Sequence, residues 1–109
     1  MKSLRITVAA LACLAISSPA WADDVQSLLS AQGCFACHSI DSQMVGPSFK
    51  MVADRYRGQP GAEDMLAKKI IAGGNGHWDK ETGGVMMPPH PGMSMEQAKE
   101  VAEWVLAVK

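Results

Sequence analysis

The sequence predicts an all-α chain of four to five short helices, and three observations carry that reading. Apolar residues recur at helical spacing in four segments. Glycine and proline clusters separate those segments, and nothing between them reads as a strand pair. No internal repeat and no low-complexity segment suggests a larger architecture.

The elements follow in order. Residues 1–22 have the layout of a secretory signal: basic Lys2 and Arg5, an apolar run over 6–16, and the small-x-small ending Ala20-Trp21-Ala22. The run is short for a bilayer span, so cleavage after Ala22 is expected rather than an uncut membrane anchor. Cys13 follows Ala10-Leu11-Ala12 instead of a leucine-led lipoprotein box, and leaves with the signal. Val25, Leu28 and Leu29 then predict a first helix over residues 24–32, stopped by Gly33. Residues 39–48 lack a period and contain Gly46-Pro47, a loop signal. A short helix over 49–56 ends at Gly58-Gln59-Pro60-Gly61.

The next helix has Ala62, Met65, Leu66 and Ile70 on one face, Glu63 and Asp64 in its first turn, and Gly73-Gly74 beyond its end. Residues 75–91 are rich in glycine and proline and should be mostly irregular. Ser94-x-x-Gln97 reads as a capping box. It opens a final helix whose stripe is Met95, Ala98, Val101, Ala102, Val105 and Leu106.

Removing the 22-residue signal from 109 leaves residues 23–109, 87 residues, which is one small domain. Loss of Lys2 and Arg5 takes the formal charge from −1 to about −3. A mildly acidic chain gives no footing for nucleic-acid binding, which needs a basic face. No later segment reads as a membrane span, so no stable membrane insertion is expected. A chain this short is near the limit for a self-sufficient core. Its aromatics after the signal are only Phe35, Phe49, Tyr56, Trp78 and Trp104. A large apolar cofactor would supply the missing core.

Cysteine usage says which cofactor. The mature chain keeps only Cys34 and Cys37. They could form a disulfide, but a structural zinc site would need a second pair that is absent. A thioredoxin-like redox pair expects a βαβ setting, and Cys–His catalysis expects an orienting third group. Cys34-Phe35-Ala36-Cys37-His38 is instead the C-x-x-C-H signature of c-type heme attachment. Two thiols three residues apart lie near one side of a helical turn and can meet the two vinyl groups of one heme. His38 is then directed at the iron, its second ring nitrogen free to donate a hydrogen bond that sets its orientation. A sixth ligand should come from a downstream loop, where Met86, Met87, His90 and Met93 are candidates. The prolines after Met87 would hold a sulfur in place with little ordering cost.

These residues, together with Met44-Val45-Gly46-Pro47, Gly76-His77-Trp78, Met87-Pro88-Pro89 and Glu103-Trp104-Val105-Leu106, resemble the small bacterial class I cytochromes c, the cytochrome c-551 group. The resemblance covers nearly all of residues 23–109 and implies the class I cytochrome c fold around one covalently bound heme c. It implies that the methionine before Pro-Pro, Met87, is the distal iron ligand opposite His38. It implies that the Pro47 carbonyl accepts the hydrogen bond of the proximal histidine and that the Trp78 indole N–H reaches a heme propionate. Lys69 aligns with a basic residue near a propionate, although a lysine on a solvated helix face reads more simply. Two departures stand out: His90 occupies the place of an asparagine that touches the ligand sulfur, and residues 79–86 form a longer loop than in the shortest members.

The expected role is therefore that of a monomeric, periplasmic electron carrier, not an enzyme, cycling between ferric and ferrous iron. By the same resemblance its partners would be redox proteins such as a terminal oxidase, a nitrite reductase or an upstream cytochrome complex. A heme peroxidase or gas sensor is the competing class and requires an open or displaceable sixth position. A subunit that works only inside a larger enzyme complex is the third reading.

Overall fold

The computed structural model describes residues 20–109; the proposed signal sequence lies outside the described residues as far as residue 19. Five α-helices and one 3-10 turn follow: α1 (Ala20–Ala31), the turn Cys34–Ala36, α2 (Phe49–Tyr56), α3 (Ala62–Ala72), α4 (Asp79–Thr82) and α5 (Met95–Leu106). Among the described residues the only β-type pairing is an isolated antiparallel bridge between Gly74 and Met87. The all-α class is as the sequence predicts. The difference is α4, a single turn inside the segment expected to be irregular. Its stop is Gly83 in the left-handed region, and Thr82 Oγ1 donates to the Trp78 carbonyl at 2.9 Å. One turn is too short to leave a periodic stripe, so no pattern in the sequence announces it.

The helix ends are chemically specified. Gly33, at φ 71°, follows α1 and turns the chain into the cysteine motif. Ser48 caps α2 by accepting from the Met51 amide at 3.1 Å, and it is fully buried. Ser94 and Gln97 form the reciprocal capping box of α5, with bonds of 3.1 and 3.0 Å. Ser94→Ala removes the acceptor for the Gln97 amide and is expected to cost about 1 kcal/mol. In a domain of this size that lowers the melting midpoint by roughly 4–8 °C, which a thermal melt of the holoprotein followed by far-ultraviolet circular dichroism would read.

α5 packs against α1, α2 and α3 and so organises the rest. Val25 and Leu29 of α1, Phe49 and Val52 of α2, and Val101 and Val105 of α5 make one buried cluster. Ala67, Ala98 and Ala102 make a second with Met93, and their small side chains let α3 and α5 approach closely. Both clusters are thin because the helices do not close on one another everywhere. Beside the first cluster lies a cavity.

Candidate functional site

Each site residue is held by the element that precedes or follows it. The 3-10 turn and its C-cap present the half-buried side chains of Cys34 and Cys37. Backbone bonds from the Cys37 and His38 amides to the Cys34 carbonyl, 3.3 and 3.0 Å, wind the motif tightly. The loop that follows folds back on it, the Gly46 amide donating to the Cys37 carbonyl at 2.8 Å. Burial pushes the Cys34 thiol above its ordinary range, with a smaller opposing effect of a backbone hydrogen bond.

His38 is fixed on several sides. Its ring stacks on Phe49, with centroids 5.2 Å apart and planes 21° off parallel. Phe49 is in turn braced edge-on by Phe35 and Trp104. His38 Nδ1 lies 2.7 Å from the carbonyl of the buried Pro47. A carbonyl only accepts, so Nδ1 carries the proton and Nε2 keeps its lone pair. Burial pushes the His38 pKa down, the Pro47 bond opposes that, and nearby His90 pushes it further down. The ring is therefore a neutral imidazole with one free nitrogen, the form that binds a metal.

Gly46 leaves room for this ring. A Cβ there would sit 2.8 Å from His38 Cε1 and 3.1 Å from Nδ1. Gly46→Ala should displace the imidazole from Pro47, at a cost of about 1–3 kcal/mol for overpacking. A weaker Nδ1–H bond makes the imidazole less basic. Its expected signature is a raised reduction potential, measured by spectroelectrochemistry.

A cavity of about 1030 Å³, open to solvent, is lined by Cys34, Cys37 and His38 together with Met86, Met87 and Trp78. Its apolar lining comes from core residues, among them Leu29, Val52, Val101 and Val105. The lining matches a large, flat, mainly apolar group. Two thiols, the His38 imidazole and the thioethers of Met86 and Met87 are among the groups such a ligand would meet there. The residues present fit a covalently attached heme.

The distal loop is closed at its neck by the Gly74–Met87 bridge, with N–H to carbonyl distances of 2.9 and 2.8 Å. Asn75 Nδ2 adds a bond to the Gly84 carbonyl at 3.3 Å. Of the four candidate distal ligands, Met86 and Met87 line the main cavity. His90 lines a smaller adjoining cavity that Cys34, Cys37, His38 and Met87 also line. Its Nδ1 is tied to the Ile70 carbonyl at 2.8 Å and its amide to that of Ile71 at 3.0 Å. Met93 is 4 % exposed and belongs to the core beside Ala67 and Ala98.

Lys69 also lines the cavity, and its Nζ reaches the Asn75 carbonyl at 3.4 Å rather than simply projecting from a solvated face. Sequence reasoning missed Gly46 and Gly73, whose tasks depend on what the folded chain brings beside them. It also missed Arg55, whose guanidinium carbon lies 3.5 Å from the centroid of the Trp78 ring. Arginine on an exposed helix position carries no signal of that kind.

Comparison with known proteins agrees with this architecture. The family model for cytochrome c matches residues 22–109. The chain is 51% identical to cytochrome c-551 of Azotobacter vinelandii over 84 residues, which are 77% of this chain and 96% of that one. It is 43% identical to cytochrome c-551 of Stutzerimonas stutzeri across the whole of both chains. The crystal structure of Nitrosomonas europaea cytochrome c552 superposes with a TM-score of 0.70 at 36% identity, covering 77% of this chain and 99% of that one.

Proposed function

The chain belongs to the cytochrome c family and carries one covalently bound heme c, and on that premise we propose that it is a periplasmic electron carrier whose iron is held by His38 and Met87. Bound heme supplies an iron that accepts and releases one electron. Cys34 and Cys37 would anchor it through their sulfurs, and His38, oriented through the Pro47 carbonyl, would bind the iron through Nε2. Met87, at the bridged neck of the distal loop, would supply its sulfur as the second protein ligand of the iron. Trp78, at the cavity wall, would offer its indole N–H to a heme propionate. A thioether opposite imidazole raises the potential and leaves no site for substrate, which suits outer-sphere transfer rather than catalysis.

The observation that carries this reading is the cavity itself. It collects both thiols, an imidazole with one committed and one free nitrogen, and Met87 into one apolar space. Val45, Val85 and Met86 line it and stay about half exposed or more. Such an apolar rim suits brief docking of redox partners, for which a terminal oxidase, a nitrite reductase or an upstream cytochrome complex fits the proposed compartment. No helix among the described residues is long and apolar enough to cross a membrane. Export with cleavage after Ala22 rests on the signal-like layout of residues 1–22. Mass spectrometry of the periplasmic protein should find Asp23 at its N-terminus.

The deciding measurement is the visible and near-infrared spectrum of the purified ferric protein across pH. A low-spin spectrum with a methionine–iron charge-transfer band is expected at neutral pH. A five-coordinate, high-spin spectrum would instead place the protein with heme peroxidases or gas sensors.

A further inference from the structure

The loop between Gly74 and Met87 is pinned at its neck, yet its tip is also held, by residues to which the electron-carrier reading assigns no task. Arg55 of α2 donates from Nη1 to the His77 carbonyl at 2.7 Å and from Nη2 to Glu81 Oε1 at 2.9 Å. The same guanidinium lies over the Trp78 ring, 3.5 Å from its centroid, and Tyr56 packs edge-on against that ring from the same helix. Three groups of the segment 77–81, the His77 carbonyl, the Trp78 ring and the Glu81 carboxylate, thus converge on one planar cation. Arginine suits this because its fork and flat face act together. From the other side Gln43, in the loop between His38 and Pro47, donates through Nε2 to the Glu81 carbonyl.

We propose that Gln43, Glu81 and Arg55 form a strap that joins the loop after His38 to the loop ending at Met87, and that these positioning residues govern how often Met87 leaves the iron. The inference rests on the His38/Met87 reading of the site. Its physical basis is simple. Met87 is the last residue of the loop, paired by two backbone bonds to Gly74. With the tip free, only that neck and the prolines after it would resist opening. With the tip held to α2 and to the loop after His38, opening must also break the Arg55 and Gln43 contacts. Local opening is set by the contacts it breaks, so even exposed ones count toward its frequency. Neither Arg55 nor Glu81 is deeply buried, the side chains being 36% and 25% exposed, so each contact alone is modest.

Imidazole in solution is a probe of this motion, because it can bind ferric iron only while the sulfur is off. At saturating imidazole the observed rate becomes the rate of methionine release. Stopped-flow on the ferric holoprotein should show Arg55→Ala faster than wild type by about tenfold, and Gln43→Ala or Glu81→Gln by about two- to fivefold. Arg55→Lys keeps a cation near Trp78 but loses the fork, and should fall between wild type and Arg55→Ala. Lys50→Ala removes an ion pair to Asp54 on the same helix and should leave the rate unchanged. All variants should retain the methionine–iron band at equilibrium. Wild-type rates in Arg55→Ala, Gln43→Ala and Glu81→Gln, with the band present, would overturn the strap while leaving the ligand assignment intact. Equal acceleration in Lys50→Ala would overturn it too, by showing a general loss of stability. Absence of the band in the wild-type protein would overturn the Met87 assignment and the strap with it.

Discussion

Met87→Ala is expected to abolish the methionine–iron charge-transfer band and to lower the reduction potential by on the order of 100 mV or more. Axial-ligand choice spans roughly 0.8 V in heme proteins, and loss of a thioether removes a ligand that favours the ferrous state. Met86→Ala is the matched control. Met86 neighbours the ligand and lines the same cavity, but it is 64% exposed and lies outside the Gly74 bridge. It should keep the band and nearly the whole potential. The opposite pattern would move the ligand to Met86. Retention of a low-spin spectrum by Met87→Ala without a sulfur band would show that another group fills the vacated position, His90 being the candidate that shares the smaller cavity with Met87.

The second large effect is expected at a residue with no side chain. Gly73 ends α3 at φ 66° and ψ −159°, a conformation that only glycine adopts without strain. A Cβ there would also meet the Met87 carbonyl and lie 2.8 Å from the Pro88 carbonyl carbon and the Pro89 nitrogen. None of those atoms can swing aside, because they are backbone in a proline-braced segment. Gly73→Ala should therefore cost about 2–4 kcal/mol, part from backbone strain and part from the clash. Chemical denaturation of the holoprotein would measure it. The same clash pushes Met87 away from its bridge to Gly74, so the sulfur band should weaken as well. A full-strength band with unchanged stability would show that the chain relaxes around the new methyl group.

The helices illustrate what could be read in advance. α2 runs from Phe49 to Tyr56 and α5 opens at Ser94, both as the sequence predicts. Capping and glycine stops are short-range chemistry and survive in a linear reading. The start of α1 was less legible. It begins at Ala20, ahead of the apolar spacing of Val25, Leu28 and Leu29. α4 could not be read because a single turn leaves no periodic stripe, and the Arg55 contacts because they join residues about twenty or more positions apart.

By itself, then, the sequence determined the attachment chemistry and the all-α class. Cys34, Cys37 and His38 are consecutive enough that covalent geometry alone relates them, and helical spacing is a local property. Tertiary structure decided the rest of the site: which carbonyl occupies His38 Nδ1, that Met93 goes to the core while Met87 lines the cavity, and that Gly46 and Gly73 must lack side chains. Those outcomes follow from packing, where a residue's task is set by neighbours remote in the chain. His38 is the point where the two meet, placed by the motif and oriented by the fold.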